Sequence, residues 1–344
     1  MSQNLRELSS APLLTPQPAQ RMSGQGWGYV FGALGAVLFS MKAIFVKLAY
    51  QPTNNMPENA LDAITLMTLR LGFSVPVYIA ILWVLVIKTK RSGQGLPELR
   101  VFAGAALLGM LGYYVCAWLD IEGLKYITAQ LERLLLFTYP VFVFVLGAMF
   151  FGKPLSLKAV VAILIAYSGI AVIFLGGDIA SGLNVALGTV MVLTCAFAFA
   201  VFQLLAKPMI GRMGSPLFTC TAMLGAGFMI FLHFFVENAH AGTLTSVWDM
   251  PPRIYMLGVA LAFFSTLMPS FLVNIAIGRI GPQAVAALGM MSPVATIMLA
   301  VMWVGEPFGV FDGLGTLLTI SGIALYTWFD RRQSQPKSAA PLAK

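Results

Sequence analysis

The sequence predicts an all-α polytopic membrane protein of ten transmembrane helices, arranged as two inverted five-helix repeats. Three observations predict it. First, 59% of the 344 residues are hydrophobic and only 10% are charged, against about 45–50% and about 25% in an average soluble domain. A water-soluble globule of this size has too little interior for so much apolar surface, so lipid is the expected solvent. Second, the apolar residues fall into ten runs of membrane-spanning length. Third, the second half of the chain repeats the first in register. Ten spans of about 20 residues fill most of the chain, which leaves no room for a soluble catalytic domain and excludes disorder or a disulfide scaffold.

The elements follow in order. Residues 1–26 are polar and contain prolines, with no apolar core before the first long run, so a cytoplasmic tail is expected and a cleavable leader is not. Apolar runs then occupy 27–50, 62–88, 99–121, 126–151, 156–176, 183–206, 213–236, 253–276, 282–304 and 309–329, with a basic tail at 330–344. Each run is too long for a buried strand and lacks the alternation of a membrane barrel. Cys116, Cys195 and Cys220 sit inside these runs without metal-ligand spacing and read as small core residues.

Charge sets the orientation. Connections after the second, fourth, sixth and eighth helices carry Lys88, Lys90, Arg91, Arg100, Lys153, Lys158, Lys207, Arg212 and Arg279. The tails add Arg6, Arg21, Arg331, Arg332, Lys337 and Lys344, whereas the alternate connections oppose their acids with Lys125 and Arg253 alone. The positive-inside rule then puts both termini in the cytoplasm of a cell (inner) membrane protein. The net charge of +8 is therefore an orientation signal with a role for membrane lipid, and no nucleic acid is expected.

The repeat is visible at a shift of 153 residues. Gln130 matches Gln283, Pro140 matches Pro293, Gly152 matches Gly305, Pro154 matches Pro307, and SGIA at 168–171 recurs at 321–324. The halves are 27–176 and 183–329. Five helices is an odd number, so the second half enters the membrane from the opposite side, a construction shared by many secondary transporters. Lys153 and Glu306 occupy equivalent turns on opposite sides, as inversion requires.

Two repeats with a Pro-bearing helix, a short G-(acid)-P turn and an SGIA helix resemble the drug/metabolite transporter superfamily, specifically its EamA type. The match is most specific at VAALGMMSPVATIMLAVMWVGEPFG (285–309); the first repeat offers YITAQLERLLLFTYPVFVFVLGAMFFGKP (126–154), where Lys153 departs from the acid of the turn. The resemblance implies ten helices, both termini inside, and movement of small metabolites, often outward.

Ionisable residues inside the apolar runs are the candidate site. Each costs about 2.5–3.5 kcal/mol at a helix centre, and the chain places Lys42, Arg70, Glu132 and Arg133 there, with Lys47 nearer an outer end. At 1.5 Å per residue, Lys42 and Arg70 lie roughly 12 Å, and Glu132 and Arg133 roughly 10 Å, below the outer ends of their helices. Tyr113 and Tyr114 fall near that level. Glu132 paired with Arg70 or Arg133 would be an ion-pair lock between helices, yet the cations outnumber the one acid. In the second repeat Glu132 and Arg133 correspond to Val285 and Ala286, Arg70 falls near Gly225 and Lys42 near Phe199. The scaffold is built there without charge, which points to function.

An excess of inner cations favours an anionic or zwitterionic small molecule, of amino-acid or organic-acid type. Tyr113, Tyr114 and Tyr139 are candidates for further contacts, and Glu132 for coupling to protons. Pro140 and Pro293 are expected to kink their helices around a central cavity, and Gln203, Asn274 and Gln283 to line an inner vestibule. No nucleophile triad, phosphate-cradling loop or metal-ligand spacing is present, so neither an enzyme nor a cofactor is expected. The expected activity is secondary transport of a small-molecule substrate by alternating access. The alternative is a non-transporting sensor or lipid-binding scaffold with a cationic pocket. A homo-oligomer is left open.

Overall fold

The computed structural model describes residues 18–50, 63–93, 95–124, 126–127, 132, 135–152, 156–174, 184–241, 250–304 and 309–334, and among them there is no strand. The helices are α1 (Pro18–Tyr50), α2 (Ala63–Arg91), α3 (Leu99–Gly109, a π-helical turn Met110–Val115, then Cys116–Leu124), α4 (Tyr139–Phe150) and α5 (Leu157–Phe174) in the first half. The second half holds α6 (Val185–Met213), α7 (Ser215–Ala241), α8 (Pro252–Ala262, a π-helical turn Phe263–Leu267, then Met268–Ile280), α9 (Pro282–Gly289 and Met291–Val304) and α10 (Val310–Ser334). The chain is a multi-pass membrane protein. Spans such as Ile64–Arg91 (28 residues) and Val185–Met213 (29 residues) exceed the ~30 Å hydrocarbon core at about 1.5 Å per residue.

Local chemistry sets the ends. The Asn184 side chain accepts from the Leu187 N–H at 3.2 Å and caps α6. Gly214 (φ +80°) and Gly281 (φ +87°) close α6 and α8 in left-handed conformations that only glycine adopts without a steric cost. α1 begins at Pro18 rather than at residue 27, because the polar segment before Trp27 continues the helix. Large apolar side chains such as Trp83, Phe150, Phe228 and Leu317 point outward, as expected where lipid replaces water.

The two halves pack about a pseudo-twofold axis whose register is the 153-residue shift. A Cβ on Gly169 of α5 would collide with Thr319 and lie 2.6 Å from the Gly315 carbonyl of α10. A Cβ on Gly322 of α10, the equivalent of Gly169, would collide with Ala166 and lie 2.7 Å from the Ala162 carbonyl of α5. Ala166 and Ala162 are themselves the equivalents of Thr319 and Gly315. Each contact is the other's mirror, the signature of an isologous interface. Small residues thus let α5 and α10 approach at backbone distance. The same reciprocity pairs α1 with α8 through Gly28, Gly32 and Gly35, and α6 with α3 through Gly123 and Gly188.

Two irregularities obey the same register. The π-helical turns begin at Met110 in α3 and at Phe263 in α8, 153 residues apart. Turns at Phe137–Thr138 and at Met290 precede α4 and divide α9. Pro140 and Pro293 therefore lie in the first turn of the following segment, where a missing N–H is tolerated. The carbonyl of Phe137, left free at the first break, accepts from the Tyr167 hydroxyl. The GxP turns, Gln130 and Arg133 lie outside the described residues.

Candidate functional site

The paired π turns face one another across a cavity of about 40 Å³. Arg70 and Leu71 reach it from α2, Tyr113 from the π turn of α3, Phe39 from α1, Met223 and Ala226 from α7, and Ser265, Thr266 and Ser270 from α8. At the 153-residue shift Arg70 is equivalent to Met223, and Tyr113 to Thr266. Both pairs line the cavity, so it sits on the pseudo-twofold axis and draws on both halves. The expected partner of Arg70 near Gly225 is thus corrected to Met223. A π turn widens a helix by one residue and frees a carbonyl, a form often found at functional sites.

The polar atoms divide sharply. The Nε of Arg70 is buried with no hydrogen-bond partner among the described residues, and so is the Ser265 hydroxyl. No carboxylate lines the cavity, and Arg70 forms no ion pair among the described residues. Asn274 Nδ2 donates to the Tyr113 hydroxyl at 3.2 Å and lies 3.0 Å from Thr219 Oγ1. Tyr113 thereby keeps its own hydrogen for an acceptor in the cavity. Around the α8 turn, Thr266 Oγ1 donates to the Leu261 carbonyl (3.0 Å) and Ser270 Oγ to the Leu267 carbonyl (2.9 Å), while the Tyr78 hydroxyl lies 2.7 Å from Ser270 Oγ and Ser74 Oγ donates to the Arg70 carbonyl of its own helix (2.8 Å). Asn274 Oδ1 is also buried without a partner among the described residues, but Asn274 does not line the cavity; the unpartnered donors on the cavity wall, one of them on a cation, make a site for an anionic group.

None of the other sequence candidates among the described residues lines the cavity. Lys42 approaches Asp120 at 4.0 Å. Asp120 belongs to the last segment of α3, where its carboxylate is 13% exposed. Glu132 is buried at 3% exposure, and neither it nor Lys42 lines the cavity. Tyr114, next to Tyr113 but on another side of the helix, turns away to His233 (3.4 Å to Nδ1), which stands 3.6 Å from Glu237. Tyr139 is buried where α4 meets α9, donating to the Ala286 carbonyl at 3.4 Å and meeting Phe199 edge-on. Gln203 and Asn274, expected in an inner vestibule, are buried at 2% and 0%, and Asn274 instead holds Tyr113.

Sequence reasoning missed Phe39, Ser265, Thr266 and Ser270. The signal was available: FFSTLMPSF at 263–271 sets three hydroxyls around Pro269 in an apolar run. Among the described residues no group of three or more His, Cys, Asp or Glu is placed to hold a metal, and the three cysteines are buried and free. Tyr113→Phe removes one donor and is expected to weaken substrate binding about three- to tenfold, read as a rise in the half-saturation of transport without loss of folded protein.

Comparison with known proteins agrees with this architecture. The profile of the EamA-like transporter family matches residues 26–175 and again 186–328. The chain is 27% identical over 288 residues to the uncharacterized transporter YcbK of Bacillus subtilis, covering 84% of this chain and 88% of that protein. It is 27% identical over 232 residues to a probable terminal-alkyne amino-acid exporter of Streptantibioticus cattleyicolor, covering 67% and 74%. A solved crystal structure of 17% identity superposes with a TM-score of 0.67, over 90% of this chain and 100% of that one, a likeness of fold.

Proposed function

This chain belongs to the EamA-like transporter family, and from that premise we propose that it exports a small metabolite bearing an anionic group, by exposing the central cavity to each side of the membrane in turn. The observation that carries the reading is Arg70, a cation whose buried Nε has no partner among the described residues, in a cavity built from both halves and lined by no acid among those residues. Inverted halves around one site are the construction on which alternating access rests. The similarity to an amino-acid exporter supports outward movement and a carboxylate-bearing cargo. The basic connections support a cell-membrane orientation with both termini in the cytoplasm.

Counterflow in proteoliposomes tests the reading. Vesicles loaded with organic and amino acids should take up a labelled tracer of the same class, saturably, and Arg70→Ala should abolish it. Uptake of a cationic panel with no anion response, unchanged in Arg70→Ala, would refute it. Glu132 is the proposed coupling carboxylate: a pH gradient should drive accumulation in the wild type and not in Glu132→Gln, while exchange at equal pH survives in both.

A further inference from the structure

We propose that the cargo is an organic monoanion with an apolar tail and no ammonium group, so that the cavity selects a carboxylate over the matching amino acid. This rests on the reading of the Arg70 cavity as the transport site.

The argument is a balance of donors and acceptors. A carboxylate is acceptor-only, whereas an ammonium brings three donors and a positive charge. The cavity offers the Arg70 Nε–H and the Ser265 hydroxyl, both buried and without partners among the described residues. To these the Tyr113 hydroxyl adds its hydrogen. Of the carbonyls at the π turn of α8, those of Leu261 and Leu267 are engaged by Thr266 and Ser270. An ammonium here would face a like charge and, among the described residues, no carboxylate, and a buried unpaired charge is strongly unfavourable.

Symmetry assigns the two ends of the cargo. The repeat-equivalent of Arg70 is Met223, and beside it lies Ala226; both line the cavity, as does Phe39. The charge is therefore one-sided, carboxylate toward α2 and apolar tail toward α7. The twofold scaffold is unsymmetrical at this pair, as an amphipathic cargo requires.

Three isosteric probes separate the possibilities on the detergent-purified full-length chain, by thermal shift and by displacement of a labelled carboxylate: 4-methylpentanoate, leucine and leucinamide. The expected result is that 4-methylpentanoate binds at least tenfold tighter than leucine, that leucinamide does not bind, and that Arg70→Lys weakens the first. Leucine binding as well or better, with Arg70 dependence, overturns this inference and leaves the anionic-group reading standing. Leucinamide binding best, or no effect of Arg70 variants on any probe, removes both. Absence of 4-methylpentanoate binding overturns the inference as well. A second variant guards against simple misfolding: Met223→Glu places an acceptor opposite Arg70 and should reverse the preference, with leucine outbinding 4-methylpentanoate. Unfolding cannot create such a reversal, and an unchanged preference in folded Met223→Glu counts against the proposal.

Discussion

Arg70→Met is expected to abolish counterflow while raising the melting temperature of the purified protein. The two effects have opposite signs because Arg70 is a cation without an ion-pair partner among the described residues, its Nε buried and unbonded. A charge in that position opposes folding, and an apolar replacement of similar length removes the opposition, a gain of about 1–3 kcal/mol. The same replacement deletes the charge that would meet the cargo's anionic group. Loss of a charge-assisted contact of this kind costs about 2–5 kcal/mol, so transport at subsaturating substrate falls by about thirtyfold to a few thousandfold. Arg70→Lys keeps the charge but loses the planar fork, and should retain a tenth or so of the wild-type rate. If Arg70 were part of a structural ion-pair lock, Arg70→Met would destabilise the protein instead. Thermal unfolding and counterflow on the same preparation decide between these outcomes.

That prediction draws on features legible in the sequence to different degrees. The helices and the 153-residue register were legible because apolar runs of spanning length and repeated SGIA and Pro positions are one-dimensional signals. Arg70 was legible as an anomaly, a charge in an apolar run with no counterpart in the second repeat. Its surroundings were not. Asn274 looked like a vestibule residue by depth alone, but its side chain reaches Tyr113 on another helix, 161 positions away. Tyr113 and Tyr114 share a depth and face different helices, which only the helical angle resolves. Lys42 was legible by level, but its approach to Asp120 on α3 was not. Depth along a helix can be counted from the sequence; azimuth depends on which neighbour each face meets. The π turns add a further offset, since one extra residue in the turn shifts every later side chain of α3 and α8 around its axis.

Gly169→Val and Gly322→Val are expected to be strongly damaging to the structure, and equally so. At Gly169 even a Cβ would lie 2.5 Å from the Thr319 amide nitrogen, and at Gly322 2.7 Å from the Ala162 carbonyl oxygen. The opposing atoms are backbone, so no rotamer change relieves the clash and α5 and α10 must separate. Overpacking of this kind costs about 1–3 kcal/mol or more, and the β-branched side chain adds to the displacement. Gly72→Val is the control: it lies on α2, where a Cβ meets nothing within 4 Å. Yield of monodisperse protein and melting temperature should fall together for Gly169→Val and Gly322→Val and stay near wild type for Gly72→Val. The equality of the first two is the sharper test. It follows only if the repeats meet about a true pseudo-twofold axis, where each glycine occupies the other's environment. A large difference between them would mean that the α5–α10 contact is not self-complementary. Matched losses would support one axis relating both this contact and the cavity between Arg70 and Met223.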